Sequence, residues 1–178
     1  MKILRTEHLI ARGAFASSKE FRKVEREVIA SIGEVHWPPN TPIFKLNNAK
    51  EHNNGVTPIK KSCMEHLEGN GWLTEQRVRI SSKMRPGPVD AVKELSDGRF
   101  FAVEWETGNI SSSHRALNKM ALGMIDGVLA GGLLIVPSRS MYHWLTDRIG
   151  NFVEIEPYFP VWRSISSVMN GVLGVIEI

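Results

Sequence analysis

The stretch PVDAVKELSDGRFFAVEWE, residues 88–106, predicts the hairpin at the centre of the fold. Apolar and polar residues alternate on both sides of Ser96-Asp97-Gly98, and this alternation predicts two strands, Val89–Leu95 and Arg99–Trp105. A three-residue loop with Gly98 in a left-handed conformation places the last residue of the first strand opposite the first residue of the second. We expect this register to fix which side chains share a face.

Three carboxylates, Asp90, Glu104 and Glu106, lie at the end of this hairpin that is remote from its loop. In the three-residue register Asp90 lies opposite Glu104, and Glu106 shares their face because side chains alternate along a strand. A two-residue Asp-Gly loop would instead place Asp90 opposite Trp105. We favour the three-residue loop because it puts the acids on one face and leaves the apolar residues for the other, namely Val89, Ala91, Val103 and Trp105.

An acidic cluster of this kind needs positive charge beside it, because like charges directly opposite each other destabilise a sheet. A hard divalent cation with oxygen ligands, Mg²⁺ first with Mn²⁺ as a substitute, would supply that charge. Glu75, on a strand predicted over Trp72–Ile80, is a further acidic candidate. The alternative is a solvated acidic face neutralised by Arg77 and Arg79. Spacing alone leaves both interpretations open.

The rest of the chain alternates between amphipathic helices and apolar strands. The predicted elements are a helix over Ser17–Ile32 with a Ser17–Glu20 capping box, a helix from Pro58 to Gly69, a helix over Ser112–Val128, a buried strand Leu133–Val136, a helix over Ser140–Leu145, a short segment near Phe152, a helix after Pro157 and a last strand Val172–Ile176. This order predicts an α/β fold with a mixed central sheet flanked by helices.

The composition describes an ordinary globular chain. Its 178 residues are 42% hydrophobic and 23% charged, which excludes a disordered chain and fits a single domain over 1–178. A net charge of +3 permits a nucleic-acid partner without requiring one. The single cysteine, Cys63, is expected in the core. The first fifteen residues have neither the long apolar stretch nor the small-residue cleavage site of a secretory signal, and we expect no membrane span, because the most apolar run, 128–137, is too short for one. We therefore expect a cytoplasmic protein without membrane partners.

The acidic residues also carry a family resemblance. Pro88-Val89-Asp90 followed by Glu104-Trp105-Glu106 resembles the P-x-D … E-x-K nuclease motif, with Glu106 where lysine is usual. That replacement is a feature of BamHI-like type II restriction endonucleases, and the sequence from about Gly55 to Glu177 resembles that family, closest to a compact member. The resemblance implies a PD-(D/E)xK nuclease fold in a bacterial or archaeal restriction-modification system.

The resemblance implies a role for each acidic residue. Asp90, Glu104, Glu106 and Glu75 correspond to the catalytic and metal-binding acids of the family, and the main-chain carbonyl of Trp105 completes the shell of the first Mg²⁺ ion. Glu106 would act on the attacking water. The implied reaction is two-metal hydrolysis of DNA phosphodiester bonds, which leaves 5′-phosphate ends.

A second polar cluster lies at the start of the helix predicted over Ser112–Val128. From the residues alone, simple capping by one of the serines at 111–113 is the favoured interpretation. The resemblance implies instead that this cluster reads DNA bases, and that the site is the palindrome GGATCC. The residues that would contact bases are Asn109, Ser111, Arg115, Asp147 and Arg148.

A palindromic duplex cut on both strands requires a two-fold homodimer. The predicted helix carries an apolar stripe that spacing alone assigns to the core, whereas the family pairs this helix and the one after Glu156 with their mates. The stripe consists of Leu117, Met120, Ala121, Met124 and Val128. We accordingly expect the sheet core and active site within 72–136 and the recognition and dimerisation elements within 107–168.

Two other functions compete with this one. A catalytically silent DNA-binding dimer would need no acidic cluster, and a nonspecific DNA repair nuclease would need no base-reading set. Lys60 and Lys61, near the start of a helix, could neutralise phosphate, although a solvated face is the favoured interpretation for both.

Overall fold

Six strands form one mixed sheet in the computed structural model, which describes residues 1–38, 40–46, 56–77, 87–142, 144–145 and 150–178. The strands are β1 (Arg5–Arg12), β2 (Leu73–Gln76), β3 (Val89–Glu94), β4 (Phe100–Trp105), β5 (Leu129–Val136) and β6 (Gly171–Glu177). Their order is β1-β6-β5-β4-β3-β2. The β4-β5-β6 pairs are parallel and the other neighbours are antiparallel. The predicted mixed central sheet is confirmed.

Helices cover both faces of this sheet. They are α1 (Gly13–Ala16), α2 (Lys19–Gly33), α3 (Val56–Gly69), α4 (Ile110–Ile125), α5 (Arg139–Tyr142), α6 (Phe152–Ile155) and α7 (Phe159–Arg163), with a 3₁₀ turn at Glu156–Tyr158. One buried cluster packs α2 and α3 against the sheet, and a second packs α4, α6 and α7 against it. In the described ranges, none of the helices combines the length and apolar character that crossing a bilayer requires.

The central hairpin has the predicted three-residue loop. The Leu95 N–H donates to the Arg99 carbonyl at 2.8 Å, and the Gly98 N–H donates to the Leu95 carbonyl at 3.0 Å. Gly98 has a φ of 80°, the left-handed conformation that such a loop requires. The strands pair Ala91 with Val103, which continues this register. One detail differs, since Val89 packs in the α4 cluster rather than with Ala91.

The predicted helix over Ser17–Ile32 forms as α2, but its cap is Ser18. The Ser18 hydroxyl accepts a hydrogen bond from the Phe21 N–H at 2.9 Å. Glu20 is only two residues beyond this cap, so it cannot close the capping box, which needs an acid three residues on. Its carboxylate instead accepts from the Ser96 N–H at 2.8 Å, which ties the tip of the central hairpin to α2.

The two predicted elements that follow are partly confirmed. The α3 helix ends at Gly69 as predicted, begins at Val56, two residues before Pro58, and buries Cys63. The strand predicted over Trp72–Ile80 forms as the shorter β2, and residues 78–86 lie outside the described part of the chain.

The remaining differences lie at the ends of elements and at β1. The α4 helix begins two residues before the predicted start and ends before Val128, and the helix predicted over Ser140–Leu145 is the shorter α5. The β1 strand was not predicted, because charged residues interrupt the alternation of apolar and polar residues along it. Its pairing with β6 is also irregular, with a shift of register between His8 and Ile10.

The β5 strand begins at Leu129 rather than Leu133, so two glycines lie inside it. A Cβ on Gly131 would lie 2.0 Å from the Val172 carbonyl oxygen and 2.8 Å from the Phe101 ring. Gly131 is therefore needed because β6 approaches closely at this position. It does not mark a turn, although glycine pairs in a sequence often do.

Gly131→Ala should destabilise the protein by about 3 kcal/mol, because the new methyl group overlaps backbone that cannot move without disrupting the sheet. Urea denaturation followed by circular dichroism measures the change. Gly33→Ala, at the end of α2, is the matched control, because its added methyl group would meet no neighbouring atom within 4 Å. Equal stabilities of the two variants would contradict this account of β5.

Candidate active site

The acidic residues of the sheet lie in one row across three strands. The β2–β3 register pairs Thr74 with Ala91, so the next position, Glu75, lies opposite Asp90. The β3–β4 register, continued by one pair, places Asp90 opposite Glu104. The Asp90 N–H lies 3.4 Å from Glu104 Oε2. The hairpin and its edge strand therefore bring together acids that are far apart in the sequence.

Glu106 extends this group along β4. It lies two residues beyond Glu104, on the same face, and its N–H donates to the Ile135 carbonyl at 2.9 Å. All four carboxylates, including those of Glu75 and Asp90, line one cleft with a volume of about 1020 Å³. The structure thus brings all four predicted acids to one cleft.

The Asp90 carboxylate is held at both oxygens. Its Oδ2 accepts from the Trp105 N–H at 2.7 Å, and its Oδ1 lies 2.6 Å from Lys60 Nζ. Glu104 is buried, whereas Glu75 is exposed and has a φ of 49°, which is uncommon for a residue other than glycine. The two central acids are therefore fixed in place, and the third extends from a strained edge strand into the mouth of the cleft.

Two lysines supply positive charge beside the acids. Lys60, on α3, lies against Asp90 and 3.7 Å from Glu75 Oε1. Lys119, on α4, contacts Glu104 Oε1 and donates to the Pro88 carbonyl at 3.2 Å. These two lysines neutralise the acidic row, whereas Arg77 is exposed and Arg79 is outside the described residues.

The sequence favours a solvated face for both Lys60 and Lys61. That prediction is wrong for Lys60 and right for Lys61. The Lys60 side chain is only 19% exposed, whereas the Lys61 side chain is 72% exposed and pairs with Glu65 on the same helix. Sequence reasoning missed Lys119 as a site residue. A signal was present, because Lys119 follows Arg115 by four residues and so shares its side of α4.

Crowding and burial shift the protonation of these groups. Burial, followed by the charges of Glu104 and Asp90, raises the pKa of Glu106 to about 7. Burial also raises the pKa of Glu104, although Lys119 opposes that change. The pKa of Lys60 is raised in spite of its burial, because the hydrogen bond and charge of Asp90 favour the ammonium form. Negative charge in the cleft therefore exceeds what the two lysines neutralise.

The chemistry of this donor set fits a hard divalent cation. Carboxylate oxygens are the ligands that Mg²⁺ prefers, and the raised pKa of Glu106 indicates a place where added positive charge would be favourable. As the side chains are placed, no three Asp, Glu, His or Cys residues within the described ranges group around one point as ligands. Asp90 and Glu104 contact ammonium groups instead.

The start of α4 forms another wall of the cleft. Ser111 and Arg115 line the same cleft as the carboxylates. Asn109 is the residue that caps the helix, since its Oδ1 accepts from the Ser112 N–H at 3.2 Å. The capping by one of the serines at 111–113, which the residues alone favour, is therefore wrong, because the helix already begins at Ile110, before all three serines.

The segment that contains Asp147 and Arg148 lies outside the described residues. Gly150, which follows shortly after them in the chain, donates its N–H to the Gly108 carbonyl at 2.7 Å. A Cβ at position 150 would lie 2.7 Å from the Cα of Ile110. Gly150 therefore allows the chain to pass in close contact with the start of α4.

The apolar stripe of α4 belongs to the core. Leu117, Met120, Ala121 and Met124 are all buried against the sheet, so they cannot face a partner. Exposed apolar side chains instead lie at the end of α4 and on the following helical turns, at Ile125, Tyr158 and Val161. The ring of His114, near the start of α4, lies 4.5 Å from the ring of Tyr158.

Known proteins are similar to this chain in sequence. The family model for restriction endonuclease BamHI matches residues 1–178. The chain belongs to the BamHI family of restriction endonucleases. The type II restriction enzyme OkrAI of Oceanobacter kriegii is 51% identical over 178 residues, which span 100% of this chain and 89% of OkrAI. BamHI of Bacillus amyloliquefaciens is 37% identical over 155 residues, 84% of this chain and 73% of BamHI.

The fold also matches a solved structure. The restriction endonuclease BglII in complex with a DNA 16-mer superposes with a TM-score of 0.68 over 99% of this chain and 78% of BglII. Its sequence identity is 9%, so this likeness concerns the fold alone. The predicted family, its type II restriction endonuclease activity and the PD-(D/E)xK-like fold are confirmed.

Glu106→Gln should remove a pH dependence from the stability of the metal-free protein. The pKa of Glu106 in the folded state, about 7, exceeds its ordinary value of 4.5, so the folded state retains a proton that the unfolded state has lost. The stability contributed by that proton is complete below pH 4.5 and is lost as the pH rises through 7. Urea midpoints in EDTA at pH 5, 6 and 8 measure the effect.

In that comparison the wild type should lose stability relative to Glu106→Gln between pH 5 and 7, with little further change above pH 8. Glu94→Gln, an exposed acid on β3, is the control and should follow the wild type. A constant difference between wild type and Glu106→Gln across the range would contradict the raised pKa.

Proposed function

We propose that this restriction endonuclease uses Mg²⁺ to hydrolyse both strands of double-stranded DNA at the palindrome GGATCC and leaves 5′-phosphate ends. One observation carries the proposal: four carboxylates line the same cleft as Ser111 and Arg115 on α4. The 51% identity to OkrAI supports a shared arrangement. A cytoplasmic location is part of the proposal.

The acidic residues have separate tasks in this mechanism. Asp90 and Glu104, fixed at the centre of the row, would hold the metal ions together with the Trp105 carbonyl, and Glu75 would reach in from the cleft mouth. When bound, two Mg²⁺ ions supply an activated water, neutralise the phosphate oxygens and stabilise the leaving oxygen. Glu106 lines the same cleft and would accept the proton of the attacking water.

The residues at the start of α4 would read the bases. Arginine suits the O6 and N7 acceptors of guanine, and asparagine suits adenine. These pairings support Arg115 and Asn109 as base-contacting residues, with Ser111 between them on the same stretch of chain. Asp147 and Arg148 complete the set by resemblance alone, since an aspartate accepts from cytosine N4.

A homodimer would present two such sets to a palindrome. The buried stripe of α4 is not available for the proposed interface, and the exposed apolar side chains on the same two elements would provide it. Ile125, Tyr158 and Val161 lie on α4 and on the turns after Glu156, the two elements that the family resemblance assigns to dimerisation. Trp162 Nε1 donates to Asn118 Oδ1 at 3.0 Å and holds these elements together.

Plasmid DNA incubated with the protein and Mg²⁺ should give discrete fragments whose sequenced ends all derive from GGATCC. Asp90→Asn should abolish cleavage while retaining DNA binding in a gel-shift assay, because it removes the central metal ligand and keeps the fold. Glu94→Gln, on the same strand, should cleave normally. A smear of fragments would favour a nonspecific nuclease, and folded protein that binds this site without cutting would favour a silent DNA-binding dimer.

Val161→Glu should convert the protein from dimer to monomer, because it places a charge in the proposed interface. Sedimentation velocity at micromolar concentration measures the state. Ile29→Glu, at a 41% exposed position on α2, should remain dimeric, whereas Val161 is 59% exposed in the single chain. A wild-type monomer in the presence of cognate DNA would rule out the dimer.

A further inference from the structure

The two lysines of the active site reach the acidic row from opposite faces of the sheet. Lys60 comes from α3, which packs in one buried cluster, and Lys119 comes from α4, which packs in the other. Their side chains are 19% and 13% exposed. Lysine side chains are seldom buried to this extent unless their amines are paired. These two lysines contact carboxylates and therefore belong to the active site and not to the solvated surface.

Each amine contacts an oxygen that a metal ligand would need. Lys60 Nζ lies 2.6 Å from Asp90 Oδ1, and the other oxygen of Asp90 is already bonded to the Trp105 N–H. Lys119 Nζ contacts Glu104 Oε1. A divalent cation held by Asp90 and Glu104 therefore competes with two ammonium groups, both for the oxygens and for the negative charge.

We propose that Lys60 and Lys119 are internal counter-ions that divalent cations displace, so that metal entry turns two ammonium groups towards bound DNA. This inference rests on the proposed metal-dependent function. Without metal, the lysines keep the acidic row neutral enough to fold. With metal, the same charges become available to the phosphate backbone, and metal and DNA promote each other's binding.

The residues that line the cleft are compatible with this exchange. Both lysines line the cleft that also contains Ser111 and Arg115, the residues proposed to face DNA. Lys119 lies one helical turn after Arg115 on α4. A lysine side chain has four rotatable methylene groups, so an amine released from Glu104 stays within the same cleft.

A purely structural ion pair makes the opposite prediction. If the lysines only hold the acids in position, removing one leaves the carboxylates misplaced and weakens metal binding. If they are counter-ions, removing one leaves the acids with more negative charge and strengthens metal binding. The sign of the change in metal affinity therefore distinguishes counter-ions from residues that only position the acids.

That measurement is calorimetric titration of the DNA-free protein with Ca²⁺, which occupies carboxylate sites. Lys60→Met and Lys119→Met should each bind Ca²⁺ about tenfold more tightly than wild type, the effect of one unit charge close to a partly buried site. Lys61→Met changes the adjacent, exposed lysine and should leave the affinity unchanged. Equal or weaker binding by the first two variants, with circular dichroism showing them folded, overturns the proposal.

A second measurement on the wild-type protein covers the case in which these variants do not fold. Acylation of lysine amines, read by peptide mass spectrometry, should increase several-fold at Lys60 and Lys119 when Ca²⁺ is added, with no change at Lys61. Unchanged labelling at both residues, in protein that calorimetry shows to bind Ca²⁺, overturns the proposed displacement of the two lysines. It leaves the proposed metal-dependent function standing. Absence of Ca²⁺ binding even with GGATCC duplex present overturns the proposed metal-dependent function and this inference with it.

Discussion

The crowding of carboxylates in one cleft is the constraint on which the rest of the molecule depends. Glu75, Asp90 and Glu104 lie in a row, and backbone pairing holds the three strands too close for the acids to separate. Such a row is stable only with cations beside it. Helices on both faces of the sheet each contribute one, so the flanking layers serve the site as well as the core.

The sequence was sufficient for the parts of the site that depend on strand register. The Ser96-Asp97-Gly98 turn determined which residues lie opposite each other, and alternation then placed Glu106 beside Glu104. The family resemblance added roles that spacing alone left open. The register predictions succeed because a strand pair has a small number of possible registers, and a short turn selects one of them.

The parts that could not be predicted depend on packing between distant elements. Whether Lys60 is solvated or buried depends on how α3 approaches the sheet. The spacing of apolar residues along a helix does not specify that approach. The same holds for Gly131 and Gly132, which suggest a turn in a sequence and are needed instead where β5 approaches its neighbours. The apolar stripe of α4 is a related case, since spacing assigned it to the core and the resemblance to a dimer contact, and the structure buries it against the sheet.

The cap at the start of α4 constrains the orientation of Asn109, a residue proposed to contact a base. Its Oδ1 accepts from the Ser112 N–H, which uses one of the two lone pairs of the oxygen and fixes the plane of the amide. The second lone pair and the NH₂ group stay available. A bidentate pairing with adenine, with the oxygen as acceptor and the nitrogen as donor, is therefore compatible with the cap. Under the proposed function, the first turn of the helix would hold the recognition amide in one orientation before DNA arrives.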